Sequence, residues 1–166
     1  MAGAGCGLGG LAAAQLGARV TLTDRPCVLP QMTENATLNQ SASRHPVDVS
    51  ALQWGSDDDA DVVAALGPID LVLAADCCYI DGVGISPSIE HFVRVAHALL
   101  RKPSDAAAPP AFEPRALIAW EQRSLEVQEQ LLVWLHGQFA RVTRVALDGL
   151  PATLRPDNIH VYDCRL

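Results

Sequence analysis

The sequence is poor in aromatic residues (5%) and in positive charge, with 12 lysines and arginines against 19 aspartates and glutamates. A formal net charge of −7 repels a phosphate backbone and argues against nucleic acid as a partner. It suits instead a basic partner such as a lysine-bearing protein. No apolar run approaches the ~18 residues of a membrane span, and the apolar opening residues lack the basic flank of a signal peptide. The five cysteines include no C-x-x-C pair. That pattern predicts reduced, mostly buried thiols of a cytosolic protein rather than a disulfide framework. The histidines show no metal-ligand spacing, so no metal site is expected, and neither a G-x-S-x-G elbow nor a Cys/His pair occurs. The acidic run Asp57–Asp61 fails as a calcium loop. Its sixth position is Val62 rather than glycine and its twelfth is Pro68 rather than glutamate. It reads as a solvated loop or a helix start.

What is present is enough apolar sequence, 49% of 166 residues, to bury the core of one domain. The chain opens on Gly3-Ala4-Gly5-Cys6-Gly7-Leu8-Gly9-Gly10, followed by the helix-forming run Leu11 to Leu16. Glycines at alternate positions allow a sharp bend and close approach to a ligand. Backbone N–H groups at the helix start would favour the polar end of a nucleotide-like molecule. Strands are predicted at 19–24, 47–52, 69–75, 116–120, 142–147 and 159–164. Helices are predicted at 27–39, after Ser86-Pro87, and at 124–139, the last burying Leu125, Leu132, Leu135 and Phe139. In the helix after Ser86-Pro87 the apolar stripe is Ile89, Phe92, Val93, Ala96, Leu99 and Leu100. The stretch 102–114 is a surface connection. Strand alternating with helix, closed by an antiparallel pair, predicts a three-layer α/β sheet with ligands at the strand C-termini.

Several residues stand where chemistry is done. Asp24 ends the 19–24 strand, where a carboxylate can accept from the two hydroxyls of a ribose; the lesser alternative is a cap on the next helix. Trp54 and Tyr79 read on their own either as site aromatics or as core and strand-end packing. Asp76 follows a continuous apolar strand, and a carboxylate there needs a partner or solvent. Glu121 and Arg123 read as a salt-bridged loop, and Cys77-Cys78 as core.

Taken together, Gly3-Ala4-Gly5-Cys6-Gly7-Leu8-Gly9, Thr21-Leu22-Thr23-Asp24, Leu52-Gln53-Trp54-Gly55 and Ala75-Asp76-Cys77-Cys78-Tyr79 resemble the class I, seven-strand S-adenosylmethionine-dependent methyltransferases. Within that class the chain is most similar to the family 16 protein-lysine methyltransferases, whose D-x-x-Y motif Asp76 and Tyr79 match. The resemblance implies a Rossmann-like methyltransferase domain over 1–166, cytoplasmic and monomeric. S-adenosyl-L-methionine is the implied cofactor, and a lysine on a chaperone or translation factor the implied substrate. It implies that Gly3, Ala4 and Gly5 pack under the methionine part of the cofactor, that Asp24 holds the ribose and that Trp54 lies against the adenine. Ala75 would line the cofactor cleft, with Asp76 and Tyr79 facing the incoming lysine. Asp76 is expected to position the amine rather than act as a base.

The resemblance also implies a first strand, an acidic residue before the glycine loop and an N-terminal covering segment, whereas only Met1 and Ala2 precede Gly3. The expectation is an N-terminally incomplete domain with the central first strand missing. The gap would mark a truncated product or be closed by rearranged pairing, with weakened cofactor binding in both cases. Two other functions fit part of the sequence. Gly5-x-Gly7-x-x-Gly10 followed by Asp24 also satisfies a dinucleotide fingerprint, which would make the protein an NAD-dependent oxidoreductase. A fold retained as a binding module without turnover is the other.

Overall fold

The computed structural model describes residues 1–67, 69–78, 88–100, 113–151, 153 and 157–166. Six strands are present among them: β1 Val20–Asp24, β2 Val47–Ala51, β3 Leu71–Ala75, β4 Arg115–Glu121, β5 Arg141–Arg144 and β6 Ile159–Arg165. Five α-helices accompany them: α1 Leu8–Gln15, α2 Leu29–Leu38, α3 Asp59–Leu66, α4 Ser88–Leu99 and α5 Leu125–Gln138. Each strand arises where β-branched and apolar residues alternate or run together. The Ser86-Pro87 cap, Tyr79 and most of the 102–114 connection lie outside the described residues.

The strands form two sheets: β1 and β2 pair in parallel, and a second sheet runs β3-β4-β6-β5. β3 and β4 are parallel, while β6 is antiparallel to both β4 and β5, as the terminal pair predicted. One feature departs from a continuous sheet: β1 and β3 do not pair with each other, so the rearranged pairing expected as one way of closing the gap does not occur. Met1 and Ala2 lie between them instead. Ala2 bridges Thr23 in parallel sense, its N–H donates to the Leu73 carbonyl at 2.9 Å, and the Thr23 N–H donates to the Met1 carbonyl at 2.9 Å.

Two cores follow from this division. The larger joins β3, β4 and β6 to α4 and α5, with Phe92, Val93, Ile118, Trp120, Leu131 and Leu135 at its centre. The smaller holds Ala4, Leu22 and Met32, flanked by Met1, Val20, Val47 and Val49. In α4 the predicted stripe of Ile89, Phe92, Val93, Ala96 and Leu99 is buried as read. The face of α5 is corrected in part. Leu135 and Phe139 are buried as read and Leu132 packs against the core, Val127 and Leu131 join them, and Leu125 is 66% exposed. Ser124 is the N-cap, accepting from the Val127 N–H, which places Leu125 on the first, outward-facing turn.

Candidate functional site

The glycine loop leads directly into α1 and is pinned from two sides. The Gly5 N–H donates to Asp24 Oδ2 at 2.8 Å, and the Arg25 N–H donates to Asp24 Oδ1 at 2.7 Å. Asp24 thus ties the end of β1 to the loop, with lone pairs on both oxygens remaining. Gly3 and Gly5 have φ of +61° and +54°, a region that disfavours side chains. A Cβ on Gly3 would lie 2.9 Å from the Trp54 ring and 2.8 Å from Cys77 Sγ, whereas one on Gly5 would meet nothing within 4 Å. Gly3 is therefore a packing glycine, and Gly5 is the one that opens onto free space beside a carboxylate.

Trp54 sits at the turn after β2, half-buried, tilted against Phe92 with ring centroids 5.0 Å apart. Its Nε1 is buried and has no hydrogen-bond partner among the described residues. A buried donor without an acceptor costs about 1–3 kcal/mol, so the indole is placed where an incoming acceptor would be rewarded.

β3 ends in Ala75, exposed, and Asp76. Asp76 is the one described non-glycine residue with positive φ, +54°, a strained state that clusters at functional sites. The thiol of Cys77 lies 3.5 Å from the Ala2 carbonyl and 4.0 Å from that of Gly3. Burial raises its pKa to about 12, so it stays a protonated donor, inert as a nucleophile. It also lies 3.6 Å from the Ala75 carbonyl, and these contacts tie the residue that follows Asp76 to the glycine loop. Cys77 does more than the core filling its sequence suggests, and no pattern in the chain announces it.

Arg123 completes the arrangement. Its guanidinium grips both oxygens of Asp76, Nη1 to Oδ1 at 3.1 Å and Nη2 to Oδ2 at 2.6 Å, and also bonds Glu121. These two carboxylates raise the pKa of Arg123, with the Asp76 hydrogen bond the largest cause. A salt-bridged loop is present as read, but it reaches Asp76, which spacing alone could not reveal. Beyond the ends of β3 and β4 a cavity of about 400 Å³ is lined by Asp76, Cys78, Trp120, Glu121 and Arg123. Trp120 Nε1 donates to the Cys78 carbonyl at 2.9 Å and closes its floor. Gly3, Ala4, Gly5, Asp24, Trp54, Ala75 and Asp76 thus gather at one edge of the strands, linked through the loop; Tyr79 lies outside the described residues.

Among the described residues no group of three or more His, Cys, Asp or Glu is arranged to hold a metal ion. No helix there is long and apolar enough to cross a membrane.

Strand order, glycine loop and strand-end acid define a Rossmann-like methyltransferase fold. The apo structure of the S-adenosylmethionine-dependent methyltransferase SibL shares it, with a TM-score of 0.61 at 18% identity over 99% of this chain and 49% of that one. Residues 2–105 match the lysine methyltransferase family, and the chain belongs to it. Protein N-lysine methyltransferase METTL21A of Danio rerio is 44% identical over 80 residues, 48% of this chain and 35% of that protein. EEF1A lysine methyltransferase 3 of Xenopus tropicalis is 41% identical over 78 residues, 47% of this chain and 33% of its own length. The chain thus spans about a third of the length of these curated relatives.

Proposed function

We propose that this chain transfers a methyl group from S-adenosyl-L-methionine to the side-chain amine of a lysine on a protein substrate. The observation that carries the reading is the contact of the Cys77 thiol, the residue after Asp76, with the Ala2 and Gly3 carbonyls of the glycine loop. It brings a bent backbone suited to a cofactor next to a carboxylate suited to an amine.

The residues present fit the cofactor. Gly5 leaves open space beside Asp24, the Asp24 oxygens retain acceptor capacity for a ribose diol, and Trp54 offers an aromatic ring with an unsatisfied donor. Gly3 and Ala4 shape the loop, and the small, exposed Ala75 leaves room beside it. When bound, the sulfonium supplies an electrophilic methyl that a neutral amine attacks in line.

Asp76 positions that amine. A free carboxylate would hold the lysine as an ammonium, which cannot attack. Arg123 offsets the charge of Asp76 while leaving its oxygens able to accept from the amine, so the pair orients nitrogen without trapping its proton. Tyr79 is proposed as the second residue facing the lysine. The substrate is a protein, in line with the acidic composition; the family resemblance suggests a chaperone or translation factor, and one relative is named for EEF1A. All five cysteines are unbridged, which supports a cytoplasmic, reducing setting, and we take the protein to act as a monomer.

The test is incubation with isotope-labelled S-adenosylmethionine and a cell lysate, beside calorimetric titration with S-adenosylhomocysteine. A labelled protein band that disappears with Asp76→Asn, while S-adenosylhomocysteine still binds, is expected. Binding of NADH in place of S-adenosylhomocysteine overturns the reading in favour of an oxidoreductase. Cofactor binding with no transfer to any protein leaves only a binding module.

A further inference from the structure

The peptides of the glycine loop can be accounted for one at a time. The Ala4–Gly5 peptide is held at both ends. Its C=O accepts the Gly7 N–H at 2.8 Å, and its N–H donates to Asp24 Oδ2 at 2.8 Å. The Cys6–Gly7 peptide is held likewise, by that same Gly7 N–H bond and by Asn35, whose Nδ2 donates to the Cys6 carbonyl at 2.9 Å. Between them, the Gly5–Cys6 peptide has neither its C=O nor its N–H paired among the described residues. It is the peptide that adjoins the open space at Gly5 and the carboxylate of Asp24. Of the bonds that fix its two neighbours, only that of Asn35 comes from α2, 29 residues further along the chain.

We infer that Asn35 is a positioning residue for the cofactor. It fixes the plane of the Cys6–Gly7 peptide and so holds the unpaired Gly5–Cys6 peptide in place beside Asp24. The inference rests on the S-adenosylmethionine reading and adds to it a residue of α2 that acts through the loop. A glycine turns its peptide at little cost, so the planes on either side, rather than Gly5 itself, set the orientation of the free one. Asn35 is well placed to do this. It lies three residues after Met32 on the same side of α2, and Met32 is buried in the small core with Ala4 and Leu22. A Cβ on Gly7 would lie 3.8 Å from Met32 Cγ, so helix and loop are packed together where the bond is made. A loop held before binding spares the ordering cost that a loose one pays on binding. The worth of the Asn35 amide therefore shows in cofactor affinity.

The experiment uses the full chain, with S-adenosylhomocysteine as the probe. Asn35→Ala removes the amide and puts a better helix former into α2, so its urea midpoint should stay near that of the unaltered chain. Its affinity for S-adenosylhomocysteine, by calorimetry, should fall about five- to tenfold. With labelled S-adenosylmethionine its KM for that cofactor should rise by a similar factor, and kcat should change far less. Gln31→Ala, the same kind of change at an exposed position of α2, should leave the affinity as it was. With no cofactor present, the Gly7 amide should exchange about threefold faster or more in Asn35→Ala. The amide of buried Leu52, bonded to the Asp24 carbonyl, should not change. If the alanine variant does not fold, Asn35→Asp, which keeps the shape and replaces the donor by an acceptor, takes its place. Equal affinity in variant and unaltered chain overturns the inference, as does an unchanged Gly7 exchange rate or an equal loss in Gln31→Ala. Failure of both proteins to bind S-adenosylhomocysteine is a separate result, which removes the methyl-transfer reading and this inference with it.

Discussion

At the scale of single residues, two glycines of one loop separate packing from opening. Gly3→Ala would drive a Cβ against Cys77 and Trp54, adding an overpacking cost of about 1–3 kcal/mol to the ~1–2 kcal/mol of a left-handed alanine. Gly5→Ala should cost the left-handed term alone, because open space surrounds it. Urea unfolding should rank Gly3→Ala as the less stable of the pair. Arg123 invites a different measurement. In the proposed function, removing its guanidinium leaves Asp76 and Glu121 uncompensated beside the substrate amine, which they would hold as an ammonium. Arg123→Gln should therefore move the alkaline rise of kcat/KM upward by roughly half a pH unit or more. A purely structural role would lower the rate without moving the profile. Asp24, Asp76 and Trp54 could be picked out as residues of interest from their places in the chain. The grip of Arg123 on Asp76 could not, because residues 47 apart meet only once β3 and β4 lie side by side.

At the scale of elements, the sequence located the strands and helices because periodicity and propensity act over a few residues. The orientation of α5 was less legible. Leu125, Leu132, Leu135 and Phe139 look like a stripe, and the last two are buried, yet the helix centres its buried face on Val127, Leu131 and Leu135, spaced four apart. Ser124 decides this by fixing the first turn, and the cap with Val127, Leu131 and Leu135 behind it was the signal to read. Its Oγ accepts from the Val127 N–H at 3.5 Å, a long bond. Ser124→Ala should cost near the low end of the usual range, about 0.5 kcal/mol, as a small fall in the denaturation midpoint. In α3 the acidic run finds its use at a helix start. Asp59 and Asp61 occupy the first turn, where the dipole favours negative charge, and Asp59 Oδ2 accepts the Gly55 N–H at 2.7 Å. That bond fixes the turn carrying Trp54.

At the scale of the whole molecule, two sheets are joined through Met1 and Ala2, and that junction titrates. The Met1 ammonium donates to the Thr21 carbonyl at 2.6 Å, and burial lowers its pKa from 8.0 to about 6. The folded chain thus binds this proton less readily than the unfolded one. This group should make stability rise as pH goes from about 6 to 8 and add no slope on either side of that window, where both states carry the same proton count. Urea midpoints measured across it, for a chain with a free amino terminus, should show that slope, and N-terminal acetylation should remove it. The buried thiols behave oppositely in charge but alike in cause: burial holds Cys77 and Cys164 up at about 12, leaving them neutral over the same window. Cys6 and Cys27, by contrast, are exposed, so the expectation of mostly buried thiols holds for three of the five.

The sequence by itself determined which stretches are strands and helices, the glycine loop before α1, and the acids that end β1 and β3. All of these rest on interactions between near neighbours. Only the tertiary structure decided that Cys77 would tie the end of β3 to that loop, that Arg123 would share the carboxylate, and that Met1 and Ala2 would lie between β1 and β3. Those outcomes depend on which strands become neighbours, and long-range pairing is chosen by the packing of the whole chain rather than by any segment within it.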